Sequence, residues 1–220
     1  MPYDKAFARL QWEAIREWYD PGFQATAELE SWTAGDNREA LWAPYHPVIP
    51  ALRKIIDTHY PGTKLAINEY DSGSPEHYHG ALIRAALLGI FMQENLYMAQ
   101  NWHQTDKDKF TYWAQKLYGN YDGKGSRVAG KFVPSQSSQP DLLSYAATSG
   151  GRFTIVLINK NPAERIETTI ALPTATSKYW TFTLSETLGL RLLEDQAETR
   201  GKPIGVVVPP YTAVLVATEG

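Results

Sequence analysis

Up to about residue 122 the apolar positions recur at helical spacing, interrupted by two short apolar runs; beyond that point the pattern shortens to alternating strands. Within residues 50–60, Leu52, Ile55 and Ile56 share one helical face, and Tyr60-Pro61-Gly62 ends the helix. Residues 64–70, Lys-Leu-Ala-Ile-Asn-Glu-Tyr, read as a short buried strand. Asp71-Ser72-Gly73 turns the chain, and Ser74 is placed to cap a helix with Pro75 at its first position, where a missing N–H does no harm. From 76 to 93 apolar residues lie on most sides (Leu82, Ile83, Ala86, Leu87, Ile90, Phe91), which predicts a largely buried helix. A second buried strand is expected over 96–102. After it, Thr105-Asp106-Lys107-Asp108 resembles a capping box that opens a helix to about Tyr118. Strand, helix, strand, helix with short connections indicates parallel βα units, and two such units are only part of a closed sheet.

From about Gly123 the expected strands are 142–148, 153–159, 167–172, 179–184, 205–208 and 213–217. Ser149-Gly150-Gly151, Asn159-Lys160-Asn161-Pro162 and Pro209-Pro210 separate them as turn signals. Nearly every residue from Thr154 to Ile158 is apolar, as in a strand covered on both faces. The fold class predicted is therefore α/β plus all-β. Residues 1–122 form the α/β part and 123–220 an antiparallel β-sandwich.

Composition narrows the functional classes. A formal net charge of −3 on 220 residues gives no basic face for nucleic acid. No run of about 18 apolar residues exists to cross a membrane, and Met1-Pro2-Tyr3-Asp4-Lys5 has no apolar signal core. The absence of cysteine removes disulfides, zinc-thiolate sites and thiol nucleophiles together. Aromatics are plentiful: 7 Trp, 13 Tyr and 7 Phe make 12% of the chain. Flat rings with polar tips suit the C–H faces of sugars, and they equally suit a well-packed core.

Glu69 is the leading candidate for chemistry. It ends a strand that is otherwise Leu-Ala-Ile, and in parallel α/β barrels that end is the catalytic mouth. A carboxylate there can serve as nucleophile or acid/base; it could equally be a strand-end Glu tied to an arginine or to loop amides. Trp102 closes the next strand at the same level, where it could floor a sugar site, lid a core, or do both. The connection 18–46 carries Trp18, Tyr19, Phe23, Trp32, Trp42, Tyr45 and His46. A loop of that length is usually functional, although it could also hold a small core of its own. His77 and His79 read as polar residues near the mouth, because their i, i+2 spacing does not match a helical zinc pair. There is no phosphate-cradling glycine loop and no Gly-x-Ser-x-Gly elbow. Asp and Asn are too common in the loops to pick ligands for a structural calcium.

Several stretches together resemble glycoside hydrolase family 44, the endo-β-1,4-glucanases and xyloglucanases. They are Arg16-Glu17-Trp18-Tyr19-Asp20-Pro21, Glu30-Ser31-Trp32, and Tyr60-Pro61-Gly62-Thr63-Lys64 running on to Asn68-Glu69-Tyr70. Farther along come Leu87-Leu88-Gly89-Ile90-Phe91, Asn101-Trp102, Lys116-Leu117-Tyr118-Gly119-Asn120-Tyr121-Asp122-Gly123 and Val156-Leu157-Ile158-Asn159-Lys160-Asn161. The resemblance implies a TIM-like (β/α)8 barrel joined to the β-sandwich, secretion, no required cofactor, and retaining hydrolysis of β-1,4-linked glucan. It aligns Glu69 with the nucleophile and Trp102 with a cleft tryptophan that contacts the sugar. Trp32 falls in a substrate-lining segment, Tyr70 and Asn101 flank the two key residues, and Trp42 is a further candidate whose surroundings depart from the family pattern. Asn68 also departs, since Ser or Thr is usual before the nucleophile. A full barrel takes about 250 residues, and this chain holds what reads as its last two units. The resemblance therefore places the acid/base glutamate, with the remainder of the barrel, elsewhere in the parent protein. A non-catalytic carbohydrate-binding or structural fragment is the alternative.

Overall fold

The computed structural model describes residues 5–33, 45–102, 106–187, 189–199 and 203–219, with only the backbone for 31–33 and 191–198. They divide into two compact units, one of Met1–Asp71 with Glu94–His103 and the other of Ser72–Gln93 with Gln104–Gly220.

The first unit opens with helix α1 (Lys5–Ala14), whose buried Ala8, Leu10 and Gln11 lead into a 3-10 turn, Ile15–Trp18, with Ile15 also buried. Helix α2 (Ala27–Thr33) contributes the fully buried Leu29, and helix α3 (Val48–His59) the fully buried Ile49. The predicted apolar face of α3 is only half realised: Leu52 and Ile56 are half-buried and Ile55 is exposed. Tyr60 and Gly62 end the helix as expected. The Tyr60 amide bonds the Ile56 carbonyl at 2.7 Å, and Gly62 takes the left-handed φ of 89° that favours glycine. Strands β1 (Ala66–Tyr70) and β2 (Met98–Asn101) then pair in parallel.

Neither strand is buried as its apolar sequence predicts. In β1 only Tyr70 is buried, while Met98, Tyr97 and Trp102 along β2 are exposed. Parallel strands owe their burial to neighbours on both edges and layers on both faces. Each of these two has a single hydrogen-bonded neighbour among the described residues.

In the second unit helix α4 (Tyr78–Gln93) is buried on nearly every side, in agreement with its all-round apolar character. Its start is later than the Ser74–Pro75 cap predicts. Ser74 is left-handed at φ 50°, and its carbonyl accepts the His77 amide at 3.0 Å in a separate turn. That turn folds back so tightly that a Cβ on Gly80 would stand 2.1 Å from the Ser74 carbonyl oxygen. Helix α5 (Phe110–Gly119) also starts late. The capping-box reading is corrected here: Lys109 holds the N-cap position with no side-chain cap bond, and Thr105 lies outside the described residues. The orphan Phe110 amide is satisfied instead by the Pro75 carbonyl at 3.0 Å, and Lys109 pairs with Glu76. The Tyr118 hydroxyl joins the two helices by donating to the Ala85 carbonyl at 2.9 Å.

The rest of this unit is antiparallel. Six strands run in the spatial order β3 (Lys131–Val133), β4 (Leu142–Ser149), β5 (Arg152–Asn159), β10 (Thr212–Thr218), β7 (Lys178–Ser185) and β8 (Gly189–Glu198). A separate ribbon pairs β6 (Ile166–Ile170) with β9 (Ile204–Val208). Phe153, Ile155 and Leu157 of β5 and Val214 and Val216 of β10 form one core with Ile204, Val206 and Val208 of the ribbon. The opposite face of the large sheet lies under α4, where Gly89 fits against the Tyr145 ring. This double cover explains why β5 is buried from Phe153 to Asn159. Strands β3 and β8 were not foreseen. The first is three residues long, and the second breaks its alternation at irregularities between Tyr179 and Phe182 of its partner. No described helix is long and apolar enough to cross a membrane.

Candidate active site

The site in the first unit is built by the ends of β1 and β2. Ala66 pairs with Met98 and Ile67 with Ala99, but the next pair is Tyr70 with Asn101. Three steps on β1 therefore match two on β2, and the extra residue is a bulge. Glu69 sits in it, with a left-handed φ of 64°. For a residue with a Cβ this conformation costs about 1–2 kcal/mol. Bulges re-aim a side chain that strict alternation would send elsewhere, and backbone strain of this kind gathers at functional positions. The carboxylate that results is exposed and has no hydrogen bond or ion pair among the described residues.

Trp102 stands beside it. Its amide donates to the Tyr70 carbonyl at 2.9 Å, which extends the ladder past the bulge, and its side chain is 54% exposed. Tyr70 is buried and Asn101 half-buried, so both anchor the strand ends beneath the two exposed groups. Glu69, Tyr70, Asn101 and Trp102 are thus brought together by one register. The Trp32 side chain and all of Trp42 lie outside the described residues.

The described part of the aromatic connection packs on itself. Arg16 bonds Asp20 at 2.7 and 3.0 Å and lies 4.4 Å over the Phe23 ring. These bonds from Arg16 outweigh the effect of burial and hold the Asp20 carboxyl below its ordinary value. Trp18 and Tyr19 are half-buried nearby. These contacts tie the described part of the loop to Arg16.

His77, half-buried, and His79 stand at the start of α4 in the second unit. His79 is 2% exposed. Its Nδ1 bonds the Tyr211 hydroxyl, and the two rings stack at 5.8 Å. Burial, with the neighbouring His77, pulls the His79 pKa down to about 4. Among the described residues no group of three or more His, Cys, Asp or Glu is placed to hold a metal ion.

No protein-family model matches the chain. Over 178 residues it is 34% identical to the beta-mannanase/endoglucanase A of Caldicellulosiruptor saccharolyticus, covering 78% of this chain and 13% of that protein. The crystal structure of CelM2, a bifunctional glucanase-xylanase from a metagenome library, superposes on 100% of this chain and 40% of its own, with TM-score 0.83 and 27% identity. A Paenibacillus polymyxa xyloglucanase of glycoside hydrolase family 44, solved with xyloglucan, superposes on 99% of this chain and 42% of its own, with TM-score 0.84 and 22% identity. This chain has the fold of the corresponding part of that family 44 enzyme. It spans well under half the length of each protein named: 13%, 40% and 42%. The family resemblance seen in the motifs around Glu69 and Asp122 thus extends to the fold of nearly the whole chain.

The sequence could not announce the bulge at Glu69, because a left-handed non-glycine residue has no sequence signature.

Proposed function

We propose that this chain is part of a retaining glycoside hydrolase that cuts β-1,4-glucan chains internally, with Glu69 as the nucleophile. The observation that carries the proposal is the bulged, left-handed placement of an unpaired Glu69 beside an exposed tryptophan at the end of a parallel strand. Such strain persists where function requires it. The 34% identity to a beta-mannanase/endoglucanase over most of the chain supports the substrate class.

In this reading the Glu69 carboxylate attacks the anomeric carbon as the glycosidic C–O bond breaks. A second carboxyl group, about 5–5.5 Å away, gives its proton to the departing oxygen. The same group then takes a proton from water, which displaces Glu69 and releases the sugar with its configuration retained. No carboxylate in these 220 residues takes the partner's place by motif, so the acid/base glutamate belongs to the parent protein outside them. General acid catalysis is worth about 10²–10⁴ in rate, and these residues alone should turn over little substrate. Trp102 stacks on the sugar being cleaved, Trp32 and Trp42 line neighbouring positions, and Tyr70 and Asn101 hold the strand ends.

The exposed Tyr97 and Met98 along β2 support a further part of the reading. Residues 1–122 are the closing segment of a TIM-like barrel whose other strands cover that surface, and 123–220 are the attached sandwich. Secretion goes with a polymeric substrate too large to enter a cell.

The test is kinetic. In the parent enzyme Glu69→Gln should lower kcat on carboxymethylcellulose by at least about 10³-fold with little change in KM, since a nucleophile acts in the transition state. Activity within a few-fold of wild type would remove Glu69 from the mechanism.

A further inference from the structure

The second unit holds a cleft of about 170 Å³ that the proposed reaction does not use, lined in part by Tyr121, Asp122, Arg152, Trp180 and Phe182. Its wall is the loop that follows α5. Asn120 Oδ1 accepts the Gly125 amide at 2.7 Å, and Asp122 Oδ1 accepts the amides of Lys124 and Ser126 at 2.8 and 3.0 Å. Gly123 and Gly125 adopt the left-handed φ values, 73° and 101°, that this tight path needs. The loop is therefore shaped in advance by its own backbone bonds.

The floor is the large sheet. Ala217 pairs with Trp180 on one side and with Thr154 on the other, so the three side chains form a row across one face. A small residue between an indole and a threonine leaves a hollow. Phe182, two residues beyond Trp180, backs the Tyr121 ring at 4.8 Å.

The groups present select a ligand class. The half-buried indole of Trp180 offers a flat apolar surface. Arg152 bonds the Tyr121 hydroxyl and has further donors in its fork, and Asp122 brings an acceptor. Burial pushes the Asp122 carboxyl up, but the bonds from Ser126 and Lys124 outweigh it and hold the group below its ordinary value. A negative charge on the same lining as the arginine disfavours a free anion. Vicinal hydroxyls, which both donate and accept, satisfy both partners. The volume is below the roughly 300 Å³ at which sites for drug-sized molecules begin, and it suits one ring.

We infer that this cleft on the sheet unit is an accessory saccharide-binding site that holds one pyranose ring of a neutral β-linked glucan. The choice of glucan rests on the function proposed above. The site's role is to hold the polymer near the enzyme between cuts.

Cellotetraose titrated into the 220-residue protein by calorimetry, with tryptophan fluorescence in parallel, tests the site. Binding is expected with a Kd of order 1 mM, as befits one stacked ring. Trp180→Ala and Arg152→Ala should each weaken it at least about tenfold, while Tyr60→Ala, an exposed ring in neither site, leaves it within about twofold. Arg152 is exposed, so its variant keeps the test meaningful if Trp180→Ala unfolds. The inference is overturned if cellotetraose gives no heat, if Arg152→Ala binds like wild type, if Trp102→Ala alone abolishes binding, or if inorganic phosphate binds in its place. Parent-enzyme hydrolysis that survives Glu69→Gln would overturn the proposed mechanism while leaving this binding result standing.

Discussion

Acidification should weaken the sheet unit through one buried imidazole. His79 is 2% exposed and stacked on Tyr211, and burial together with His77 lowers its pKa from 6.5 to about 4. A depressed folded-state pKa means that stability is fully present above pH 6.5, where His79 is neutral in both states. It is lost as the pH falls from 6.5 toward 4, because only the unfolded chain takes up the proton. The span of about 2.5 pH units corresponds to at most about 3 kcal/mol, at 1.36 kcal/mol per unit. About 2 kcal/mol of that should be gone by pH 5. Urea unfolding followed by circular dichroism at pH 7.5 and pH 5.0 measures the loss, and the same pair of curves for His79→Gln removes the contribution of every other group. The wild type should lose about 2 kcal/mol more than the variant between the two pH values. Equal losses, or a wild type that is steadier at pH 5.0, would refute the assignment.

Glu69→Gly should relieve the left-handed backbone and raise the unfolding free energy by about 1 kcal/mol while abolishing hydrolysis in the parent enzyme; paired urea and activity measurements check both halves. For Gly89→Ala two effects compete. Helix propensity favours Ala by about 1 kcal/mol, but the new Cβ would stand 2.4 Å from the Tyr145 ring. Overpacking costs typically about 1–3 kcal/mol, so thermal denaturation should show a net loss. Tyr118→Phe removes the buried bond to Ala85 and should lower stability by about 1 kcal/mol, read from the urea midpoint at constant slope.

Much of the fold was legible where one pattern ruled a whole segment. The all-round apolar run of α4 and the unbroken Thr154–Ile158 stretch each have one physical explanation, burial on every side, and both are buried. Legibility failed where the deciding partner was distant or backbone. Pro75, far back in the chain, satisfies the Phe110 amide, which no local reading of Thr105–Asp108 could anticipate. Strand β8 carries Arg191, Glu194, Asp195 and Glu198 among its leucines, and its irregular register hides the period of two. His79 gives no local sign of burial, and its partner Tyr211 lies 132 positions away. At the candidate site the motif pointed to Glu69 and Trp102, and the register sets them at adjacent strand ends. The cleft could not be read at all, because Asp122, Arg152 and Trp180 share no motif and meet only through sheet pairing and one glycine turn.

The central claim is that Glu69 becomes covalently bonded to sugar. A 2-deoxy-2-fluoro cello-oligosaccharide with an activated leaving group, incubated with the parent enzyme, should slow the second step enough to trap that bond. Peptide mass spectrometry of the inactivated enzyme should then find the added mass on the peptide carrying Asn68-Glu69-Tyr70, at Glu69. Label on any other carboxylate, or rapid hydrolysis that gives product of inverted configuration, would contradict the account.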